Sequence, residues 1–227
     1  MSLRIAALLG SGALTAVAAG AFAQAMPQWA EAPNVADVAA AYPAKAKAAG
    51  IGGEVNLTCE INRQGHPHDC AAMGETPSGY GFGFAARKIA ERMRVGDPGM
   101  VGKEVRVLVS FDPAVLKGAA TVTKPSWAAL PSAADCQASF PKAENGINKV
   151  RVVLACTVAE GGSLSGCTVE QEEPTGQGFG QGALALAPKF RVGPWSLDGE
   201  PTVGAKLRVP IRYELTQVAP PAAPAKP

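Results

Sequence analysis

Two hairpin patterns, 97 positions apart, organise the chain. In the first, Val55, Leu57, Cys59 and Ile61 alternate with Glu54, Asn56, Thr58 and Glu60. Strict period-two alternation predicts a half-buried strand. Asn62 to His66, with Gly65, reads as a turn, and a second short strand follows through Asp69 to Met73. The counterpart runs over Val150 to Val158 and turns at Gly161-Gly162, a pair that tolerates positive φ at both hairpin positions.

A helical period comes next. Phe82, Ala86, Ile89, Ala90 and Met93 share their spacing with Phe179, Ala183, Leu186, Ala187 and Phe190, and each set forms one face of an α-helix. Arg87, Lys88, Glu91, Arg92 and Arg94 fall elsewhere on the first helix and read as a solvated face. Pro188 should end the second helix early. Alternation then returns. Lys103, Val105, Val107, Val109 and Phe111 predict one closing strand, and Leu207, Val209, Ile211 and Tyr213 another. Pro210 cannot donate to a ladder, which puts the second closing strand at a sheet edge. The separation grows to 102 here, so the second pattern carries five extra residues around Pro194-Trp195.

Ala-rich segments, Val35 to Tyr42 and Ala133 to Phe140, precede the hairpins and predict short helices. The expected fold is α+β: two repeated modules, each helix-strand-strand-helix-strand with a three-stranded antiparallel sheet. Their bounds are 35–112 and 133–216, joined by a linker over 113–132 that holds Pro113, Pro125 and Pro131. A fixed internal period makes the module, rather than the chain, the unit to be explained.

The ends read differently. Residues 1–23 have one early charge at Arg4, an apolar-to-small run from Ile5, and Ala21-Phe22-Ala23 as a small-x-small cleavage site. This predicts an export signal and a periplasmic protein; the alternative is an inner-membrane anchor formed by residues 5–23. Residues 217–227 are an Ala/Pro tail, expected to be disordered because that composition cannot bury a core. With 21 basic and 19 acidic residues the net charge is +2, which argues against a nucleic-acid partner.

Five cysteines in an exported chain read as disulfides. Each copy must close on itself, which selects Cys59–Cys70 and Cys156–Cys167 and leaves Cys136 as a buried free thiol or, alternatively, an intermolecular bond.

The order of these elements resembles the TonB C-terminal domain family. The first copy supplies Tyr42-Pro43, Gly50, Gly53-Glu54-Val55, Gly65, Phe84-Ala85-Ala86 and Val105 to Phe111; the second supplies Phe140-Pro141, Gly146, Gly161, Ala183 and Asp198-Gly199-Glu200-Pro201 before Val209 to Tyr213. The resemblance implies protein binding: an edge strand pairs with an extended segment of an outer-membrane transporter, a mode driven by backbone hydrogen bonds. A true energy transducer also needs a retained anchor and a long spacer. From Gln24 to Val35 the chain reaches roughly 35 Å at full extension, too short to bridge an envelope, so fold and binding mode carry over rather than force transmission. The partner-binding candidates are the charged residues of the closing strands: Lys206, Arg208 and Arg212, with Glu104 and Arg106 in the first copy. The alternatives are a structural envelope protein whose two modules pair internally through their closing strands, or an anchored energy transducer if residues 5–23 are retained, and self-association is compatible with each.

No catalytic constellation is recognisable, so the expectation is no enzyme, no cofactor and no small-molecule substrate. His66, His68 and Cys70 would make a metal set only with Cys70 reduced, and the second copy has Ser163 and Ser165 in place of the histidines. Two exposed turn histidines are the simpler reading. Gly79-x-Gly81-x-Gly83 lacks the full dinucleotide spacing and the Lys-Ser/Thr of a phosphate loop; it serves a tight turn into the helix.

Overall fold

A computed structural model describes residues 27–139 and 149–214. The export segment 1–23, Phe140, Pro141 and Gly146, and the tail 217–227 lie outside the described residues. In chain order the elements are β1 (Trp29–Glu31), α1 (Val35–Ala41), α2 (Ala44–Ala49), β2 (Gly53–Ile61), β3 (Pro67–Thr76), α3 (Phe82–Ala90), β4 (Arg94–Val95) and β5 (Glu104–Phe111). They continue with β6 (Thr121–Val122), β7 (Trp127–Ala129), α4 (Ala133–Ser139), β8 (Lys149–Val158), β9 (Leu164–Glu173), α5 (Phe179–Leu186), β10 (Arg191–Val192) and β11 (Lys206–Glu214). The architecture is α+β, with several antiparallel sheets and few helices.

The first sheet is three-stranded and antiparallel in the order β3-β2-β5, and α3 lies across β3 and β2. Its apolar face closes over an aromatic group in which Tyr42, Phe82 and Phe111 pack with centroids 5.1–6.1 Å apart. The Tyr42 hydroxyl donates to the Ile51 carbonyl at 2.7 Å, so the Tyr-Pro motif anchors the chain between α1 and β2. The second sheet differs from expectation. It has four strands, in the order β6-β11-β8-β9, because the segment expected to be a linker supplies β6, which runs parallel to the start of β11. Residues 113–132 are thus built into the fold: a 3-10 turn at Pro113–Lys117, then β6, then β7 paired with β10. Buried residues from both halves form one continuous apolar cluster.

Local chemistry explains the helix starts. Asn34 and Asp37 cap α1 reciprocally, at 2.9 and 3.0 Å, and Ser132 and Asp135 do the same for α4, each pair satisfying two otherwise unbonded donors. At α3 the capping residue is Gly81 at φ +89°, and the Glu75 carboxylate accepts from the Phe82 N–H at 3.1 Å, a favourable place for negative charge. At α5 the α-helix stops at Leu186 and Pro188 sits in a 3-10 turn.

The hairpin register is less uniform than a single turn centre predicts. Thr58 faces Ala71 as expected, but Glu60 faces His68 and Asn56 faces Gly74. An extra residue enters β3 on each side of the disulfide, and Asp69 adopts φ +48° at one of these bulges. β9 shifts in the same places, with Gly166 at φ +57°.

Candidate functional site

Strand addition needs an edge whose outward N–H and C=O groups are unpaired. The outer edge of β5 is partly sealed. Ser110 donates to the Gly199 carbonyl at 2.7 Å, and the Leu108 carbonyl accepts from the Trp195 indole at 3.0 Å. Both partners belong to the lengthened segment before β11, which closes on itself through a bridge between Trp195 and Pro201. Trp195 is 4% exposed. Gly199 has φ +77°, and a Cβ there would lie 2.7 Å from the Leu108 carbonyl oxygen, so only glycine permits this approach. Towards the start of β5, Glu104 and Arg106 are exposed. They stand opposite Glu60 and Thr58 on β2, and among the described residues no strand pairs with their outer side.

β11 is sealed at its other end. Lys206 donates to the Ala120 carbonyl at 2.9 Å, and β6 pairs with Lys206 and Leu207. Beyond Leu207, among the described residues, no strand lies on the outer side. The ladder to β8 keeps antiparallel register from Lys206↔Thr157 to Glu214↔Lys149. Its alternation turns the backbone groups of Arg208, Pro210 and Arg212 outward, so Pro210 withholds no donor from β8. Lys206, Arg208 and Arg212 are all exposed, and Arg208 is ion-paired with Glu170 of β9. Two shallow grooves flank the strand. One, ≈ 530 Å³, is lined by Thr121, Lys206 and Arg208 among others; the other, ≈ 200 Å³, by Lys149, Arg151, Glu173, Arg212 and Tyr213. The closing strands β5 and β11 belong to different sheets and so do not pair with each other, contrary to the alternative drawn from sequence.

Cys59–Cys70 and Cys156–Cys167 are both disulfides, each with Cα atoms 4.1 Å apart. One member of each bond is buried and the other half-buried. Cys136 is free and half-buried on α4. His66 holds the Met93 carbonyl through Nδ1 at 2.8 Å, and His68 Nδ1 lies 3.0 Å from the Asp69 carboxylate. With Cys70 in a disulfide, the two histidines lack the thiol a shared metal set would need.

Glu200, visible in the sequence only as part of the Asp198-Gly199-Glu200-Pro201 motif, is a half-buried titratable group beside the sealed edges. Glu200 lies with Asp112 around a small pocket between the two halves. Burial, then the charges of Asp112 and Asp198, push its carboxyl up from 4.5 to about 7. The folded chain therefore favours protonated Glu200. That stability is fully present below about pH 4.5 and is lost as pH rises through about 7. Glu200→Gln should flatten this decline, read as a smaller fall in Tm between acidic and mildly alkaline buffer; an unchanged pH profile would remove Glu200 as its source.

Residues 38–116 match the family model described as Gram-negative bacterial TonB protein C-terminal. An uncharacterized protein of Caulobacter vibrioides is 35% identical to the chain over 63 residues, 28% of this chain and 63% of the relative. The chain thus spans about 63% of the length of the relative it matches. Among the described residues no helix is long and apolar enough to cross a membrane. The matched span takes in the Tyr42-Pro43 anchor, the first hairpin, α3 and β5, and stops before β6. It supports a TonB C-terminal domain in residues 38–116, a domain type that suggests protein binding in the envelope or periplasm.

Proposed function

We propose that the chain is an exported, non-catalytic periplasmic module that binds proteins by strand addition. Its partner is an extended segment, such as the periplasmic N-terminus of an outer-membrane transporter. The observation carrying this reading is the open outer edge of β11 from Arg208 to Arg212, flanked by two grooves and exposed arginines. Backbone pairing would supply affinity, and the guanidinium groups would favour acidic segments.

On this reading 35–112 and 133–216 are duplicated modules. Several correspondences support it. Both hairpins shift register at equivalent positions. Both leading helices have a capping box whose aspartate pairs with a cation after the next long helix, Asp37 with Arg92 and Asp135 with Lys189. In both, a glutamate, Glu75 or Glu172, lies against the first turn of that helix.

The test is binding of a fluorescent transporter N-terminal peptide by anisotropy. Reversing Lys206, Arg208 and Arg212 to glutamate together is expected to weaken it by about tenfold or more. Unchanged affinity would remove that face from the site. A structural envelope role is the second reading, favoured by the way the segment before β11 seals part of β5 and the 113–132 segment seals the start of β11.

A further inference from the structure

A second surface lies on the first half, away from both closing strands. Phe84 is 61% exposed although it sits in α3 beside buried Phe82, Ala85 and Ala86. It lines a groove of ≈ 380 Å³ with Ala41, Pro43, Gly81, Ala85 and Lys88. The groove runs between the start of α2 and the start of α3, where Pro43 approaches Gly81 to within 3.7 Å of a built Cβ. Lys88 lines it, and Lys45, two residues past Pro43, stands beside it with its Nζ bonded to the Gly79 carbonyl at 2.8 Å. Lys88 Nζ lies 4.7 Å from the Phe84 ring centroid, and Lys45 Nζ lies 4.8 Å from that of Tyr80.

Phe84 adds nothing to the core, so its exposure is not explained by folding. The position 97 residues later is Gln181, and Lys88 there becomes Ala185. The same helical face in the second half therefore lacks both the exposed ring and the charge. None of the groove's lining residues bears a carboxylate, and among the described residues neither Lys45 nor Lys88 forms an ion pair. An exposed aromatic ring under Lys88, with Lys45 nearby and neither cation paired to a carboxylate among the described residues, fits one kind of occupant: an apolar anchor flanked by acids.

We infer that this groove is a docking site for an acidic protein segment carrying one apolar anchor side chain. The anchor packs on Phe84, Pro43 and Ala41, and its flanking carboxylates reach Lys88 and Lys45. The surface is separate from the β11 edge and does not depend on strand addition there.

The experiment titrates the isotope-labelled full chain with a synthetic pentapeptide, Phe flanked by two glutamates on each side, and with its lysine counterpart. Saturable shifts are expected at Ala41 and from Gly81 to Lys88 with the acidic peptide only, weakening as salt is raised. Phe84→Ala and Lys88→Glu should each weaken binding by about tenfold, whereas reversal of Arg208 and Arg212 should leave it unchanged. Phe84→Gln copies the residue of the second half and guards against a folding defect. Four outcomes would overturn the inference: no saturable shift, equal binding of both peptides, shifts confined elsewhere, or concentration-dependent self-association covering the groove without peptide.

Discussion

Trp195→Ala is expected to destabilise the folded chain by about 3–5 kcal/mol, the range for removing a buried large aromatic. Trp195 is 4% exposed, its indole donates to the Leu108 carbonyl, and its own carbonyl accepts from the Ser126 hydroxyl at 2.6 Å. The residue therefore ties three segments together: the lengthened loop, the edge of β5 and the approach to β7. Packing outweighs the hydrogen bond. Trp195→Phe keeps most of the buried ring and gives up a bond whose net worth is about 1 kcal/mol, so it should cost much less than the alanine. The alanine variant should also expose the β5 edge, accelerating amide exchange at Ser110, whose N–H donates to the Gly199 carbonyl. Urea unfolding gives the first number and hydrogen exchange the second. If alanine and phenylalanine cost the same, the packing account of this loop is wrong.

Removing the Cys59–Cys70 bond, as Cys59→Ala with Cys70→Ala, is expected to cost about 3 kcal/mol in chain-entropy accounting for so short a loop. The same holds for Cys156 and Cys167, since both bonds span a sequence separation of 11. The bonds sit in different sheets, so their losses should add. The sum, about 6 kcal/mol, is comparable to the whole stability of an ordinary domain, roughly 5–15 kcal/mol. A chain lacking both should be largely unfolded at room temperature. An independent check is alkylation in denaturant without reductant, where Cys136 alone should react. Modification of four or five thiols would contradict the pairing.

The long elements were legible because each carries a period. Alternation marked β2, β5 and β11, and the shared 3.6-residue spacing marked α3 and α5. Pro188 placed the end of α5, and the repeated spacing of the cysteines chose the disulfide pairs. What escaped had too few residues to show a period. β1, β4, β6, β7 and β10 are two or three residues each, and their pairing is decided by tertiary neighbours. The prolines of 113–132 read as a linker, yet Thr121 and Val122 found an open edge on β11. The five additional residues around Trp195 were visible as a length difference, but their target, Leu108, is 87 positions away. The hairpin bulges were equally hidden, because a shift of one residue in an exposed edge strand leaves no trace in alternation. Among the candidate site residues, Lys206, Arg208 and Arg212 do lie on one exposed face. The ion pair that engages Arg208 depends on Glu170, two strands away, which no local pattern reveals.

Strand addition at β11 is the central claim, and its most direct measurement is residue-resolved amide hydrogen exchange with and without saturating transporter N-terminal peptide. Arg212 is the informative position: its N–H points outward, while Pro210 has none and β6 occupies the start of the strand. The account predicts that the peptide slows exchange at Arg212 by about tenfold or more and leaves Ser110, already bonded to Gly199, unchanged. Bound peptide with unaltered exchange at Arg212 would contradict it.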